Sequence, residues 1–267
     1  QRSTGSGVVV DLAAGSALTF EAGKTLTVDD SAVLQLAITT ALASGDTITL
    51  TNSGGLTVGS GTTFTVSGDI TGTGTVTNNG TLTLDGSAST VDVINTSIGT
   101  FDTVTAASTA GALNNQSGGT VNIDIDLTLS GTLTNAASST ITIDSAPSNA
   151  ATTLLVQGGS NAGTINLSGA SGATNDPYLR IGSGQTFINT GTIQAADVGA
   201  AANKWIYLES GSTLLNTGTL GLVSSTYNLA LQTDGFGSIS HDTGGVLSLS
   251  GTSSEHGLVM RSLGLAL

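Results

Sequence analysis

The sequence predicts an all-β protein, a parallel β-solenoid of about ten or eleven coils. A short phrase recurs along the chain, made of a glycine, a small hydroxyl or aliphatic residue, and then alternating apolar residues. Its late copies begin at Gly163, Gly191, Gly218 and Gly245, which lie 27 or 28 residues apart. A fixed period in this range is typical of repeat proteins, in which each coil needs its neighbours to bury its apolar face. Within each copy the apolar residues alternate with period two, which indicates strands.

The spacing of these strands favours a solenoid over a sheet of hairpins. Residues 187–191 align with residues 214–218, so the similarity returns after one coil and not after one hairpin. Asn189 and Asn216 occupy the same place in this alignment. Stacked asparagines can hydrogen-bond along the axis, as side-chain amides do between stacked strands.

The chain is predicted to form a single domain over residues 1–267. Its parts are an irregular N-terminal part (1–45), regular coils (46–256) and an apolar C-terminal end (257–267). In the first part, residues 8–12 form an apolar run, and residues 17–28 are typical of two strands joined by a turn. Residues 31–44 favour two strands with a bend at Thr39 and Thr40. A short capping helix that begins near Ser31 is the alternative.

From residue 46 onwards the inward positions are predicted to be the alternating aliphatic residues. Longer insertions at residues 170–177, 195–203 and 224–227 follow the glycine-led strand at the same point, and we expect them to form a ridge along one corner. The residues predicted to be buried are Leu82, Leu84, Ile123, Ile125, Ile165, Leu167, Ile193, Leu220, Leu247 and Leu249.

Composition narrows the function classes. The chain is 38% hydrophobic and only 9% charged. Disordered chains have the opposite composition, with few hydrophobic and many charged residues. Its net charge of −13 argues against nucleic acid as a partner, and no apolar run is long enough for membrane insertion. The chain lacks cysteine and does not start with methionine, and its Thr/Gly/Asn-rich repeats lead us to expect an exported protein at the cell surface.

Candidate catalytic residues are few. If the alternation of residues 122–127 reflects one strand, Asp124 and Asp126 share its outer face, about 7 Å apart. Such a carboxylate pair could serve an inverting glycosidase, but the chain has only five basic residues to bind an acidic sugar. We therefore expect no enzyme and no cofactor. A calcium ion at these two carboxylates is a minor alternative.

Aromatic residues are rare but cluster in or beside the predicted ridge. Tyr178, Trp205, Tyr207 and Tyr227 could form a lateral surface that stacks on sugars or contacts a neighbouring molecule. Alternatively, these side chains cover the inserted loops. The sequence leaves both interpretations open.

The repeats resemble those of a known class of surface proteins. Residues 58–66 (VGSGTTFTV) and 78–84 (NNGTLTL) are similar to the passenger repeats of bacterial autotransporters and of filamentous-haemagglutinin-like adhesins. The resemblance extends over most of the chain from about residue 46. It implies a secreted, surface-displayed right-handed β-helix that works in adhesion or as a stalk.

We expect the chain to be a structural subunit of an extracellular fibre, a homopolymer that assembles head to tail through its solenoid ends. Exposed strand edges at the two ends of a solenoid can pair with another copy unless they are capped. The alternative function is an adhesin passenger that binds glycans, host protein or neighbouring cells. A carbohydrate-active β-helix enzyme is the third. The predicted intersubunit residues are Val8, Val9, Val10, Leu12, Leu258, Val259, Met260, Leu263, Leu265 and Leu267.

Overall fold

A computed structural model describes residues 9–12, 23–29, 32–145, 151–169, 175–196, 203–223, 229–233, 237–241, 246–250 and 258–261. The chain is an all-β parallel β-solenoid, as predicted, because every strand pairs in parallel with its counterpart one coil away. The sheets form three faces of the solenoid. Along the chain, successive strands lie on face 1, face 2 and face 3 in that order. Over the described ranges no helix is long and apolar enough to span a bilayer.

Face 1 is a sheet of eleven strands. They are β1 (Val9–Leu12), β3 (Val33–Leu36), β6 (Gly55–Val58), β9 (Thr75–Asn78), β11 (Asp92–Asn95), β14 (Leu113–Asn115), β17 (Leu133–Asn135), β20 (Gly159–Asn161), β23 (Thr186–Asn189), β26 (Thr213–Asn216) and β29 (Ser238–His241).

Face 2 is a sheet of ten strands. They are β4 (Thr40–Leu42), β7 (Thr63–Val66), β10 (Thr81–Leu84), β12 (Thr100–Thr103), β15 (Thr120–Ile123), β18 (Thr140–Ser145), β21 (Thr164–Gly169), β24 (Thr192–Ala196), β27 (Thr219–Val223) and β30 (Val246–Ser250).

Face 3 is divided into a three-stranded and a seven-stranded sheet. The first contains β2 (Thr25–Val28), β5 (Thr47–Leu50) and β8 (Asp69–Gly72). The second contains β13 (Ser108–Ala110), β16 (Leu127–Leu129), β19 (Thr152–Val156), β22 (Pro177–Ile181), β25 (Lys204–Leu208), β28 (Leu229–Thr233) and β31 (Leu258–Arg261).

The number of coils differs slightly from the expected ten or eleven. Nine coils place a strand on all three faces within the described residues. The coil that contains β9 and β10 has only an isolated bridge on face 3, between Ala88 and Thr109.

The glycine of the recurring phrase is required by the close approach of neighbouring coils. A Cβ atom on Gly191 would lie 2.2 Å from the carbonyl oxygen of Gly163, and one on Gly218 would lie 2.2 Å from that of Gly191. Side-chain carbon cannot approach a backbone oxygen so closely, so a larger residue would push the coils apart. The phrase therefore marks the corner at which each coil packs on the previous one.

The alternation of apolar residues fills the interior. Seven of the ten residues predicted to be buried are at most 2% exposed, which confirms them; they are Leu82, Leu84, Ile123, Ile165, Leu167, Ile193 and Leu220. The side chains of Leu247 and Leu249 lie outside the described residues.

The prediction for Ile125 is wrong. Strand β15 ends at Ile123 and the chain then bends towards face 3, so Ile125 lies at a corner and is partly exposed. The buried Thr103 hydroxyl holds this corner by donating to the carbonyl of Ile125 at 2.8 Å, and the Ile125 N–H donates back to it at 3.3 Å. Asp124 and Asp126 consequently do not share one face of a strand.

Residues 31–44 contain two strands where they are described, β3 and β4, which confirms that part of the favoured interpretation; the bend lies at Ile38, because Thr40 already begins β4. The predicted insertions follow face 2 strands, and whether they form a ridge stays a prediction. Residues 170–174, 197–202 and 224–228 all connect a face 2 strand to the next face 3 strand, and they lie outside the described residues.

Candidate functional site

Seven asparagines form a continuous hydrogen-bonded column, the asparagine ladder, inside the corner that follows face 1. The Nδ2 of each donates to the Oδ1 of the next over 2.6–2.8 Å. All seven side chains are fully buried. The members are Asn78, Asn95, Asn115, Asn135, Asn161, Asn189 and Asn216.

The ladder also satisfies backbone groups at the corner. Asn115 Nδ2, for example, lies 3.2 Å from the carbonyl oxygen of Gly119 in its own coil and 3.2 Å from that of Thr140 in the next. Buried polar networks stabilise one arrangement when every member has partners. Each amide therefore joins two coils at one fixed register.

The sequence repeat indicates only Asn189 and Asn216 as stacked residues, and the five earlier members of the ladder are not apparent from it. Coil length varies from 17 to 28 residues along the ladder, which hides the repeat. A local signal was present nonetheless. Each ladder asparagine lies three or five residues before the threonine that begins the next face 2 strand, as Asn95 does before Thr100 and Asn161 before Thr164.

Acidic side chains gather near the end of face 2. Burial raises the pKa of Asp102 above its usual value, and a hydrogen bond of 2.7 Å from Asn122 partly offsets this. Burial also raises the pKa of Asp124, and the nearby carboxylates of Asp144 and Asp102 raise it further. Asp124 is thus repelled by two neighbouring carboxylates, which concentrates negative charge at this end of face 2.

The two carboxylates of the predicted pair, Asp124 and Asp126, have different surroundings. Asp126 lies beyond the corner, and its Oδ1 accepts a hydrogen bond of 2.7 Å from the N–H of Thr153. Its carboxylate thus anchors the first residues of β19. Among the residues that the structure describes, no group of three or more acidic or histidine side chains is arranged to hold a metal ion.

Four residues on the outer side of face 3 form what we call the aromatic patch: Tyr178 and Arg180 on β22, and Trp205 and Tyr207 on β25. These strands pair so that Tyr178 lies beside Trp205 and Arg180 beside Tyr207. The rings of Tyr178 and Trp205 are stacked, with centroids 6.1 Å apart and planes 8° apart.

The first half of the aromatic patch, Tyr178 and Trp205, lies beside the carboxylate of Asp176. Trp205 is only 5% exposed, and its Nε1 donates to the carboxylate of Asp176 at 2.6 Å. Burial raises the pKa of the Tyr178 hydroxyl, and the nearby Asp176 carboxylate raises it further.

The second half of the patch is centred on Arg180. Its guanidinium donates to Glu209 at 2.6 Å and lies over the ring of Tyr207, 5.2 Å from the centroid. Tyr178, Arg180 and Tyr207 remain partly exposed, so three members of the patch reach the surface. Tyr227 lies outside the described residues. Whether this surface binds a partner stays a prediction.

Six of the ten predicted intersubunit residues lie in the outermost strands of the described solenoid. Val9, Val10 and Leu12 lie in β1, and Leu258, Val259 and Met260 lie in β31. Only the backbone of these residues is described. Val8, Leu263, Leu265 and Leu267 lie outside the described residues, so their role in assembly stays a prediction.

Comparisons with known proteins give no family for this chain. No protein-family model matches it, and neither does any curated protein. One solved structure that is similar to it is the TibC-catalyzed hyper-glycosylated TibA55-350 fragment. The two are 17% identical over 95% of this chain and 98% of that fragment, with a TM-score of 0.25. Similarity at this level carries no argument about function.

Proposed function

We propose that this chain is a structural β-solenoid of the cell exterior, and that its copies assemble head to tail into a fibre. The asparagine ladder is the observation that carries this proposal. It joins seven successive coils through buried hydrogen bonds, alongside an apolar interior that continues through the same coils. Such a column favours a stiff rod of constant register, and stiffness over length is the property that a fibre or stalk requires.

The outer edges of the sheets support assembly along the axis. Strands β29, β30 and β31 are the last members of their sheets at one end, and β1 and β2 are the first on faces 1 and 3 at the other. Each edge strand presents a row of backbone N–H and C=O groups, which another parallel strand can pair with. A second copy placed end to end would extend the β-sheets of the first copy by further parallel strands. A repeated contact of this kind produces an open filament.

Electron microscopy and sedimentation of the purified chain test the proposal. We expect uniform fibres whose assembly persists at high salt, because apolar burial and backbone hydrogen bonds would carry the joint. A variant that lacks residues 258–267 should keep its β-sheet circular dichroism and stay monomeric. The matched control is Thr134→Lys, since Thr134 is an exposed residue in the middle of face 1. It should still form fibres.

A full-length protein that remains monomeric at high concentration would contradict the fibre. So would fibres that form equally well from the shortened variant, because the joint would then lie elsewhere on the rod.

Adhesion through a lateral surface is the second candidate function, and the aromatic patch favours it. Partly exposed Tyr178, Arg180 and Tyr207 lie on two neighbouring strands, and partly exposed aromatic and arginine side chains are frequent in binding surfaces. A glycan array probed with the wild type and with Tyr207→Ala tests this function. Binding that the substitution abolishes would support it, and no binding by the wild type would contradict it.

A further inference from the structure

Face 3 is interrupted at one place, between β8 and β13. In the coil between them the inward positions are taken by Ser87 and Ser89, which are 1% and 3% exposed. Later coils place Leu127 and Leu129 on the same face. The isolated bridge of Ala88 is the one strand-like pairing of this segment, so the sheet ladder stops here.

The hydrogen bonds across this junction, which we call the face 3 seam, differ from those of a regular ladder. The N–H of Ile70 donates to the hydroxyl of Ser89 at 3.0 Å, and the N–H of Ala88 donates to the carboxylate of Asp69 at 2.9 Å. A single backbone hydrogen bond crosses the seam on face 3, from Thr90 to the carbonyl of Ile70 at 3.0 Å. Of these three hydrogen bonds across the seam, two are therefore accepted by side chains and only one by a backbone carbonyl.

The junction one coil earlier on the same face is regular. There β5 and β8 pair over four residues, from Thr47 opposite Asp69 to Leu50 opposite Gly72. The seam is thus a local feature and not a property of face 3 as a whole.

Faces 1 and 2 continue across the seam without a break. On face 1, β6 pairs with β9 over four residues, and on face 2, β7 pairs with β10 over four residues. Two sides of the solenoid therefore stay joined at this level, while the third is held by fewer backbone bonds and encloses small polar side chains.

We infer that the face 3 seam is a hinge at which the rod bends. Face 3 opens between β8 and residues 87–90, and the paired strands on faces 1 and 2 act as the axis of the movement. Local opening occurs where apolar burial and backbone hydrogen bonding are weakest, and both are reduced at this seam. The inference concerns the solenoid itself and holds whether or not copies assemble into a fibre.

Amide hydrogen exchange followed by NMR tests the hinge. In the wild type, the amides of Ile70 and Ala88 should exchange at least about tenfold faster than the hydrogen-bonded amides of β5, since they open without global unfolding. The amides of β9 and β10 should remain as protected as those of β5. Ser89→Ala removes the acceptor of the Ile70 N–H and should accelerate its exchange by about a further tenfold.

The matched control is Thr49→Ala on the same face. It removes a side-chain hydrogen bond of 3.3 Å to Thr71 and leaves the backbone ladder intact, so exchange at Ile70 should not change. Equal protection of the seam and of β5 in the wild type would overturn the hinge. Fast exchange of β9 and β10 together with the seam would also overturn it, because the whole coil would then unfold as a unit. The wild-type comparison decides between these outcomes even if Ser89→Ala does not fold.

Discussion

The side-chain amide of Asn115 donates to that of Asn135 across 2.8 Å, and both side chains are fully buried. The two residues are also direct partners in the face 1 sheet, one coil apart. A buried amide is costly unless it is hydrogen-bonded, so this pairing is satisfied only when the two coils stand at this register. A slip of one of these strands by one residue would turn its own amide outwards and leave the buried amide of its partner without this hydrogen bond.

Replacing Asn115 with alanine should therefore destabilise the solenoid. The change leaves its ladder neighbours and the corner carbonyls of Gly119 and Thr140 with one partner fewer, at a cost of about 2–4 kcal/mol. Chemical denaturation followed by circular dichroism measures this difference. Asn114→Ala is the matched control, because Asn114 is the adjacent residue and is exposed. A control variant that is as unstable as Asn115→Ala would contradict a special role for the ladder.

The corner after β15 gives a second prediction. Ile123→Asp places an unpaired charge in the interior and should destabilise the protein by about 4 kcal/mol or more. Ile125→Asp changes a partly exposed corner residue and should cost about 1 kcal/mol or less. The denaturation midpoints of the two variants measure this difference when the unfolding free energy of both depends equally on denaturant concentration. Equal losses would mean that Ile125 is an interior residue after all.

The same corner could not be predicted from the sequence, although the fold class could. The fold class was predictable because two periods, one of two residues and one of a whole coil, appear together in the chain. Residues 122–127 continue the two-residue alternation through the corner, so the pattern alone predicts one strand there. The end of β15 depends on Thr103 of the preceding coil, which bonds both backbone groups of Ile125. Such a contact between coils leaves no trace in the local alternation.

The sequence indicated three of the four residues of the aromatic patch, but not Arg180 and not the geometry. The sequence placed Tyr178, Trp205 and Tyr207 near one corner. It could not show that Trp205 is buried against Tyr178, because this depends on the pairing of β22 with β25 and on the carboxylate of Asp176. The unequal insertions between these strands hide that register in the sequence.

Stability should depend on pH through Asp124. Its pKa is raised in the folded state, first by burial and then by Asp144 and Asp102, from a usual value of 3.8. The folded protein therefore binds more protons than the unfolded chain at pH values between 3.8 and the raised pKa, and the contribution of Asp124 becomes less favourable as the pH rises through this window. Above the window the full penalty is present.

Asp124→Asn removes this penalty and should raise the melting temperature at pH 7. The advantage over the wild type should shrink as the pH falls towards 3.8, because the wild-type carboxyl is then protonated as well. Thermal melts at pH 7 and pH 4 measure both differences. A variant that is less stable than the wild type at pH 7 would show that the charge of Asp124 is instead held by a favourable contact.

The chain contains one tryptophan, Trp205, so the tryptophan fluorescence of the protein reports on the aromatic patch alone. Trp205 is 5% exposed and stacked on Tyr178, and its emission should therefore be blue-shifted and slowly quenched by acrylamide. Tyr178→Ala removes the stacked ring and should increase the quenching constant severalfold, whereas Tyr207→Ala should leave it nearly unchanged because Tyr207 lies beside Arg180. Trp205→Phe keeps an aromatic ring but cannot donate to Asp176, and it should destabilise the protein by about 1–2 kcal/mol. If the wild-type tryptophan is quenched as fast as a free indole, the ring faces solvent and is available to stack on a sugar, and the patch is then a binding surface and not a brace between β22 and β25.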